Sequence, residues 1–133
     1  MHLARVIAQL HDAVDEGRPA LLFLDEPTAN LDLKHQYQIL RTARDFAARG
    51  TAVCLILHDL QQARQVADHV LLLASGRTAA YGPPAEVLTP QAIRRVFEVE
   101  TEWLSTATGH LLNVTLPASS SSAVPPSSFH HRT

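Results

Sequence analysis

The sequence is poor in cysteine, in net charge and in long apolar runs, and each shortage excludes a class of protein. Cys54 is the only cysteine, so an internal disulfide and a cysteine metal cluster are excluded and a reducing cytoplasm is the simplest setting. The longest uninterrupted apolar run, residues 52–57, is far shorter than the ~20 residues of a transmembrane helix. The formal net charge of -2 provides no general basic field, so no nucleic-acid partner is expected.

Apolar patterning predicts an α/β fold in the first half of the chain. Leucine and valine at helical spacing predict a helix over residues 3–14. Residues 20–24 and 52–57 are apolar runs without alternation, typical of strands that are covered on both faces in a parallel sheet. A helix over residues 33–49, capped by Asp32, lies between them. This order predicts a right-handed βαβ crossover.

The second half is predicted to form two short helices, two hairpins and a tail. Asp59 is a candidate cap for one helix, and Thr89 followed by Pro90 begins the other. The strands of the two hairpins are predicted at residues 70–74, 78–81, 98–104 and 111–116. Serine and proline dominate the last residues. The chain therefore divides into one domain, 1–116, and a disordered tail, 117–133.

Two adjacent carboxylates, Asp25 and Glu26, follow the first predicted strand and precede Pro27. The carboxyl end of a strand is where open α/β sheets bind ligands. Nucleotide hydrolysis needs two acidic groups, one that holds Mg²⁺ and one that orients the attacking water. Because the strand ends here, the two side chains can point in separate directions. For an isolated acidic pair before a proline, a polar strand exit would be the favoured interpretation.

A histidine, His58, follows the second predicted strand. With Asp59 it could be an ordinary turn-and-cap pair, but its position relative to Asp25 and Glu26 favours a functional role. Cys54, inside that strand, is predicted to be a small core residue.

Three segments in this order resemble the motifs of ABC-type ATPases. Leu-Leu-Phe-Leu-Asp-Glu-Pro at residues 21–27 resembles the Walker B motif. Ala-Asn-Leu-Asp at residues 29–32 resembles the D-loop, and His58 stands where the family has its switch histidine. The resemblance implies a partial P-loop NTPase domain with a mostly parallel sheet, flanking helices and a C-terminal hairpin and helix extension.

The resemblance also implies a role for each polar residue. Asp25 would hold Mg²⁺ at the bound ATP, and Glu26 would be the general base. Asp32 would complete the nucleotide site by contacting the partner subunit across a dimer. His58 would reach the γ-phosphate.

The end of the chain resembles importer ATPases in particular. Residues 70–77, followed by Tyr-Gly-Pro-Pro-Ala-Glu-Val-Leu at residues 81–88, are similar to the end of such subunits. Residues 31–36 and 96–99 most resemble hemin import ATP-binding proteins, with iron-siderophore and cobalamin import subunits as close relatives. The resemblance implies a homodimer of ATPase subunits at the cytoplasmic face of the inner membrane. Its partners would be transmembrane permease subunits and, indirectly, an extracytoplasmic substrate-binding protein.

The sequence contains no Gly-x-x-x-x-Gly-Lys-Ser/Thr phosphate loop and no Leu-Ser-Gly-Gly signature, and Lys34 is its only lysine. The resemblance covers residues 1–116 but only about the second half of the family's domain. We therefore expect a truncated gene or a start codon assigned too late. The 133-residue chain alone is expected to be inactive and, because strands would lack neighbours, poorly soluble.

Two other functions fit part of the sequence. A chromosome-maintenance or DNA-repair ATPase would share the carboxylates and the D-loop, although not the ending at residues 82–88. A non-catalytic remnant or interaction module would explain the missing phosphate loop directly.

Overall fold

The computed structural model describes residues 2–115, and the predicted tail lies outside them. Both helices and strands occur in that range, and they alternate over residues 2–74, which confirms the α/β class. The helices are α1 His2–Asp15, α2 Leu33–Ala48, α3 Leu60–Val66, α4 Pro84–Val87 and α5 Pro90–Phe97. The strands are β1 Leu21–Asp25, β2 Ala52–Ile56, β3 Val70–Ala74, β4 Arg77–Gly82, β5 Glu100–Thr106 and β6 Gly109–Thr115. None of these helices is long and apolar enough to span a bilayer.

The predicted crossover is present as β1–α2–β2. The two strands pair in parallel, in a register that runs from Leu21 opposite Ala52 to Asp25 opposite Ile56. Helices α1 and α2 pack on one face of this pair, where Leu10, Leu22 and Phe46 form a buried cluster. The carboxyl ends of β1 and β2 therefore lie side by side.

The opposite face of the β1–β2 pair is open, so the prediction that both faces are covered is wrong for the described residues. Leu21 and Phe23 are 68% and 58% exposed. Cys54 is also exposed, and its prediction as a core residue is wrong. The physical reason is that both helices contributing to the cluster lie on the side of Leu22, which leaves alternate residues without cover.

Parallel pairing within residues 2–115 is confined to β1 and β2. The hairpins β3–β4 and β5–β6 are antiparallel, so the expected mostly parallel sheet is present only as this pair. The hairpins enclose a second core with α4 and α5, in which Leu88 and Ile93 are completely buried. Trp103 joins it by donating from Nε1 to the Leu88 carbonyl at 2.6 Å.

The predicted helix caps are confirmed. Asp59 accepts hydrogen bonds from the amides of Gln61 and Gln62 at 2.8 and 3.0 Å. Thr89 accepts one from Ala92 at 3.2 Å. Because Asp59 caps α3 directly after His58, the start of that helix fixes the backbone beside the candidate site.

Candidate active site

Asp25 and Glu26 lie at the shared carboxyl edge of the parallel pair. Asp25 is the last residue of β1, and the amide of Glu26 donates to the Ile56 carbonyl at 3.0 Å, one residue beyond the strand. His58 follows two residues after the end of β2. The topology therefore brings together the two segments that the sequence pattern separates by about thirty residues.

The backbone changes conformation at Glu26, which has a φ of 47°. A left-handed conformation costs a residue with a side chain roughly 1–2 kcal/mol, and such residues concentrate at functional sites. The turn that follows is closed by a hydrogen bond of 3.1 Å from the Ala29 amide to the Glu26 carbonyl. Because Glu26 leaves the extended conformation, strand alternation does not dictate the direction of its side chain.

Glu26 and His58 are in direct contact. The distance between His58 Nε2 and Glu26 Oε1 is 2.6 Å. A carboxylate only accepts hydrogen bonds, so the hydrogen belongs to Nε2. The side chains are 46% and 77% exposed, and pairs as exposed as this one stabilise a fold by about 0–1 kcal/mol at most. The contact therefore contributes little to stability.

Asp25 is an exposed carboxylate beside this pair. Magnesium uses one or two protein carboxylates and completes its shell with water and phosphate oxygens. No group of three or more ligating side chains that could hold a metal occurs among residues 2–115. One carboxylate, such as that of Asp25, is sufficient for a nucleotide-bound Mg²⁺, and the assignment of Asp25 as its ligand stays a prediction.

Asp32 caps α2 and is tied to His35. Its Oδ1 accepts from the His35 amide at 2.9 Å, and His35 Nδ1 lies 2.7 Å from both carboxylate oxygens. The backbone amide of His35, and then its imidazole, hold the pKa of Asp32 below its ordinary value, so the carboxylate stays ionised. Its described hydrogen bonds do not reach Glu26 or His58, and its contact with a partner subunit stays a prediction.

The sequence interpretation missed Gln36 and Gln62, which form a hydrogen bond between α2 and α3. Gln62 is only 4% exposed, and its side chain bonds to Gln36 on α2. The signal was available, because Gln62 lies next to Ala63 and four residues before Val66 on the apolar face predicted for α3.

Comparison with solved structures assigns the fold. The described fold is similar to that of a metal-chelate type ABC transporter in an inward-facing conformation, with a TM-score of 0.60 and 23% identity. The match covers 71% of this chain and 39% of that chain. The described residues thus share the fold of part of that ABC transporter chain. No protein-family model matches the sequence.

Sequence relatives define the group within that class. The hemin import ATP-binding protein of Bordetella pertussis is 47% identical over 115 residues, which are 84% of this chain and 44% of the relative. The corresponding protein of Bradyrhizobium diazoefficiens is 48% identical over 99 residues, covering 74% of this chain and 37% of the relative. The chain is therefore a homologue of hemin import ATP-binding proteins, the group that its sequence motifs most resemble. It spans less than half the length of these curated relatives.

Proposed function

We propose that this chain carries the carboxylate half of the ATP hydrolysis site of an ABC importer subunit that takes up heme or another iron chelate. The observation that carries the proposal is the 2.6 Å contact between Glu26 and His58 at the carboxyl edge of the parallel pair. The relatives named for hemin import support the substrate class. The proposal requires that a phosphate-binding loop and a signature motif come from polypeptide outside these 133 residues.

The residues divide the chemistry of hydrolysis among them. Asp25 would hold Mg²⁺, and the metal would supply positive charge to the phosphates. His58 engages Oε1 of Glu26, and Oε2 is the oxygen that receives a proton from the attacking water. The water oxygen forms a bond to the γ-phosphorus as the bond from that phosphorus to the β,γ-bridging oxygen breaks. The Nε2–H of His58 would then leave Glu26 and donate a hydrogen bond, without transferring its proton, to the γ-phosphate. Asp32 would face the partner subunit.

The assembly belongs to the same proposal. We place the subunit in a homodimer at the cytoplasmic face of the inner membrane, bound to permease subunits that receive substrate from an extracytoplasmic binding protein. The open face of the β1–β2 pair supports the need for further polypeptide, because large apolar side chains such as Leu21 and Phe23 are normally covered.

A chimera tests this function in cells. Residues 1–115 would replace the matching segment of the Bordetella pertussis relative, in a strain that lacks its own copy of that subunit. The proposal predicts growth with hemin as the sole iron source, and loss of that growth in the Glu26→Gln chimera. A chimera that accumulates normally but supports no growth on hemin or on other iron chelates would instead favour a non-catalytic remnant.

The DNA upstream of the Met1 codon gives an independent test. An open frame that encodes a phosphate loop and then Leu-Ser-Gly-Gly would place the whole site in one polypeptide. If a stop codon lies close upstream, the phosphate loop would have to come from a separate chain. Without such a chain, Asp25 and Glu26 would not take part in ATP hydrolysis.

A further inference from the structure

Two glutamines connect the D-loop to the helix that follows His58. Gln36 Nε2 donates to the Leu31 carbonyl at 2.9 Å, and Gln62 Nε2 donates to Gln36 Oε1 at 2.8 Å. Leu31 directly precedes Asp32, and Gln62 lies in the first turn of α3. We propose that Gln36 and Gln62 are positioning residues, which hold the D-loop and the His58 segment in one fixed arrangement.

The direction of both side-chain amides follows from the backbone. The Leu31 carbonyl can only accept, so it selects the NH₂ group of Gln36. The oxygen of Gln36 then faces Gln62, which in turn must present its own NH₂ group. Reversing either amide would set two donors or two acceptors against each other. The three groups therefore specify a single arrangement.

The burial of Gln62 indicates that packing alone does not account for this residue. Its side chain is 4% exposed, and its Oε1 is buried without a partner among the described residues. A buried unsatisfied oxygen is unfavourable, and an apolar side chain of similar volume would avoid it. What the glutamine supplies, and an apolar residue cannot, is the directional bond to Gln36.

The backbone amides of both glutamines connect the chain of hydrogen bonds to the candidate site. The backbone amide of Gln62 donates to the side-chain carboxylate of Asp59, the cap that follows His58. At the other end, Gln36 donates its own backbone amide to the Asp32 carbonyl at 3.0 Å. A displacement of the D-loop would thus act on α3 through one chain of hydrogen bonds. The inference rests on the proposed function only for the roles of Asp32 and His58.

The same helices also carry a hydrogen bond that provides a control. Tyr37 donates to Gln65 Oε1 at 3.1 Å and so joins α2 to α3 without touching the D-loop. Gln65→Met removes this bond, just as Gln62→Met removes the buried one. Any effect that comes only from loosening the two helices should be common to both variants.

The test uses backbone amide chemical shifts of the 133-residue chain, labelled with ¹⁵N. Gln62→Met is expected to shift the amides of Leu31 and Asp32, and Gln65→Met is expected to leave them in place. Gln36→Met should change the backbone amide chemical shifts of His58 and Asp59. Because Gln36 is only partly buried, this variant provides the same test if Gln62→Met does not fold. The Gln36→Met/Gln62→Met double variant should change these chemical shifts little beyond either single variant, because both substitutions remove the same hydrogen bond.

The inference would be overturned if Gln62→Met left the amide chemical shifts of Leu31 and Asp32 unchanged. It would also be overturned if Gln65→Met changed them as much as Gln62→Met. Gln36→Met without a response at His58 and Asp59 would also overturn it. Neither result depends on ATP hydrolysis. Failure of the chimera to support import would therefore count against the proposed function alone, and missing shifts would count against the positioning role alone.

Discussion

Neighbouring leucines on β1 face opposite environments, and their truncation is expected to have very different costs. Leu22 is 3% exposed and packs against Leu10 and Phe46, whereas Leu21 is 68% exposed. Leu22→Ala should lower the free energy of unfolding by about 2–5 kcal/mol, because it removes buried methyl groups and leaves a cavity. Complete burial of a leucine contributes about 1.5–3 kcal/mol, and only about a third of Leu21 is buried. Leu21→Ala should therefore cost less than about 1 kcal/mol.

Urea unfolding of the two variants, followed by circular dichroism, measures this difference directly. The two substitutions are chemically identical and adjacent, so each is the matched control of the other. Similar m-values would show that both variants expose the same surface on unfolding. Equal losses of stability would refute the conclusion that helices cover only one face of the β1–β2 pair.

Three further predictions concern the elements around the site. Asp59→Ala should destabilise the chain by about 1 kcal/mol through loss of the α3 cap, and Asp59→Asn should recover most of that loss in the same urea titration. Trp103→Phe should cost about 1 kcal/mol, because the Leu88 carbonyl loses its donor; an unchanged thermal midpoint would contradict this. Because His35 lowers the pKa of Asp32, the stabilisation by that carboxylate is present above the unfolded pKa of about 3.9 and is lost as the pH falls through the lower folded pKa. Asp32→Asn should therefore reduce the fall of the thermal midpoint with decreasing pH below about pH 4. An unchanged fall would disprove the stabilising interaction between Asp32 and His35.

Local patterns were sufficient to predict the elements that position the site. A short polar side chain before an apolar periodic segment marks a helix start, and Asp32, Asp59 and Thr89 all accept the expected amide hydrogen bonds. The crossover was also predictable, since two apolar runs with a helix between them have few other arrangements. The caps depend only on residues close to one another in sequence, and the crossover depends on the order of three consecutive elements.

The environment of each strand could not be predicted in the same way. An apolar run shows that both faces can be buried, but not which elements are present to bury them. Cys54 is exposed for this reason, although its neighbours in β2 are apolar. The hydrogen bond between Gln36 and Gln62 joins residues on different helices, and their spacing in sequence does not specify it.

The site itself was predicted by motif order, and the structure adds its geometry. The sequence placed Glu26 and His58 at the ends of successive strands, and these side chains meet at 2.6 Å. The left-handed backbone of Glu26 was not evident from the sequence, because non-glycine residues rarely adopt it.

A single-turnover assay of ATP hydrolysis tests the central proposal most directly. The purified chimera that contains residues 1–115 would be mixed with Mg²⁺ and ATP, with and without Glu26→Gln. The proposal predicts ATP binding by both proteins, and hydrolysis about 10²–10⁴-fold slower in the variant, as expected for loss of a general base. Equal rates in the two chimeras, or binding without hydrolysis in the unsubstituted one, would contradict the role of Glu26.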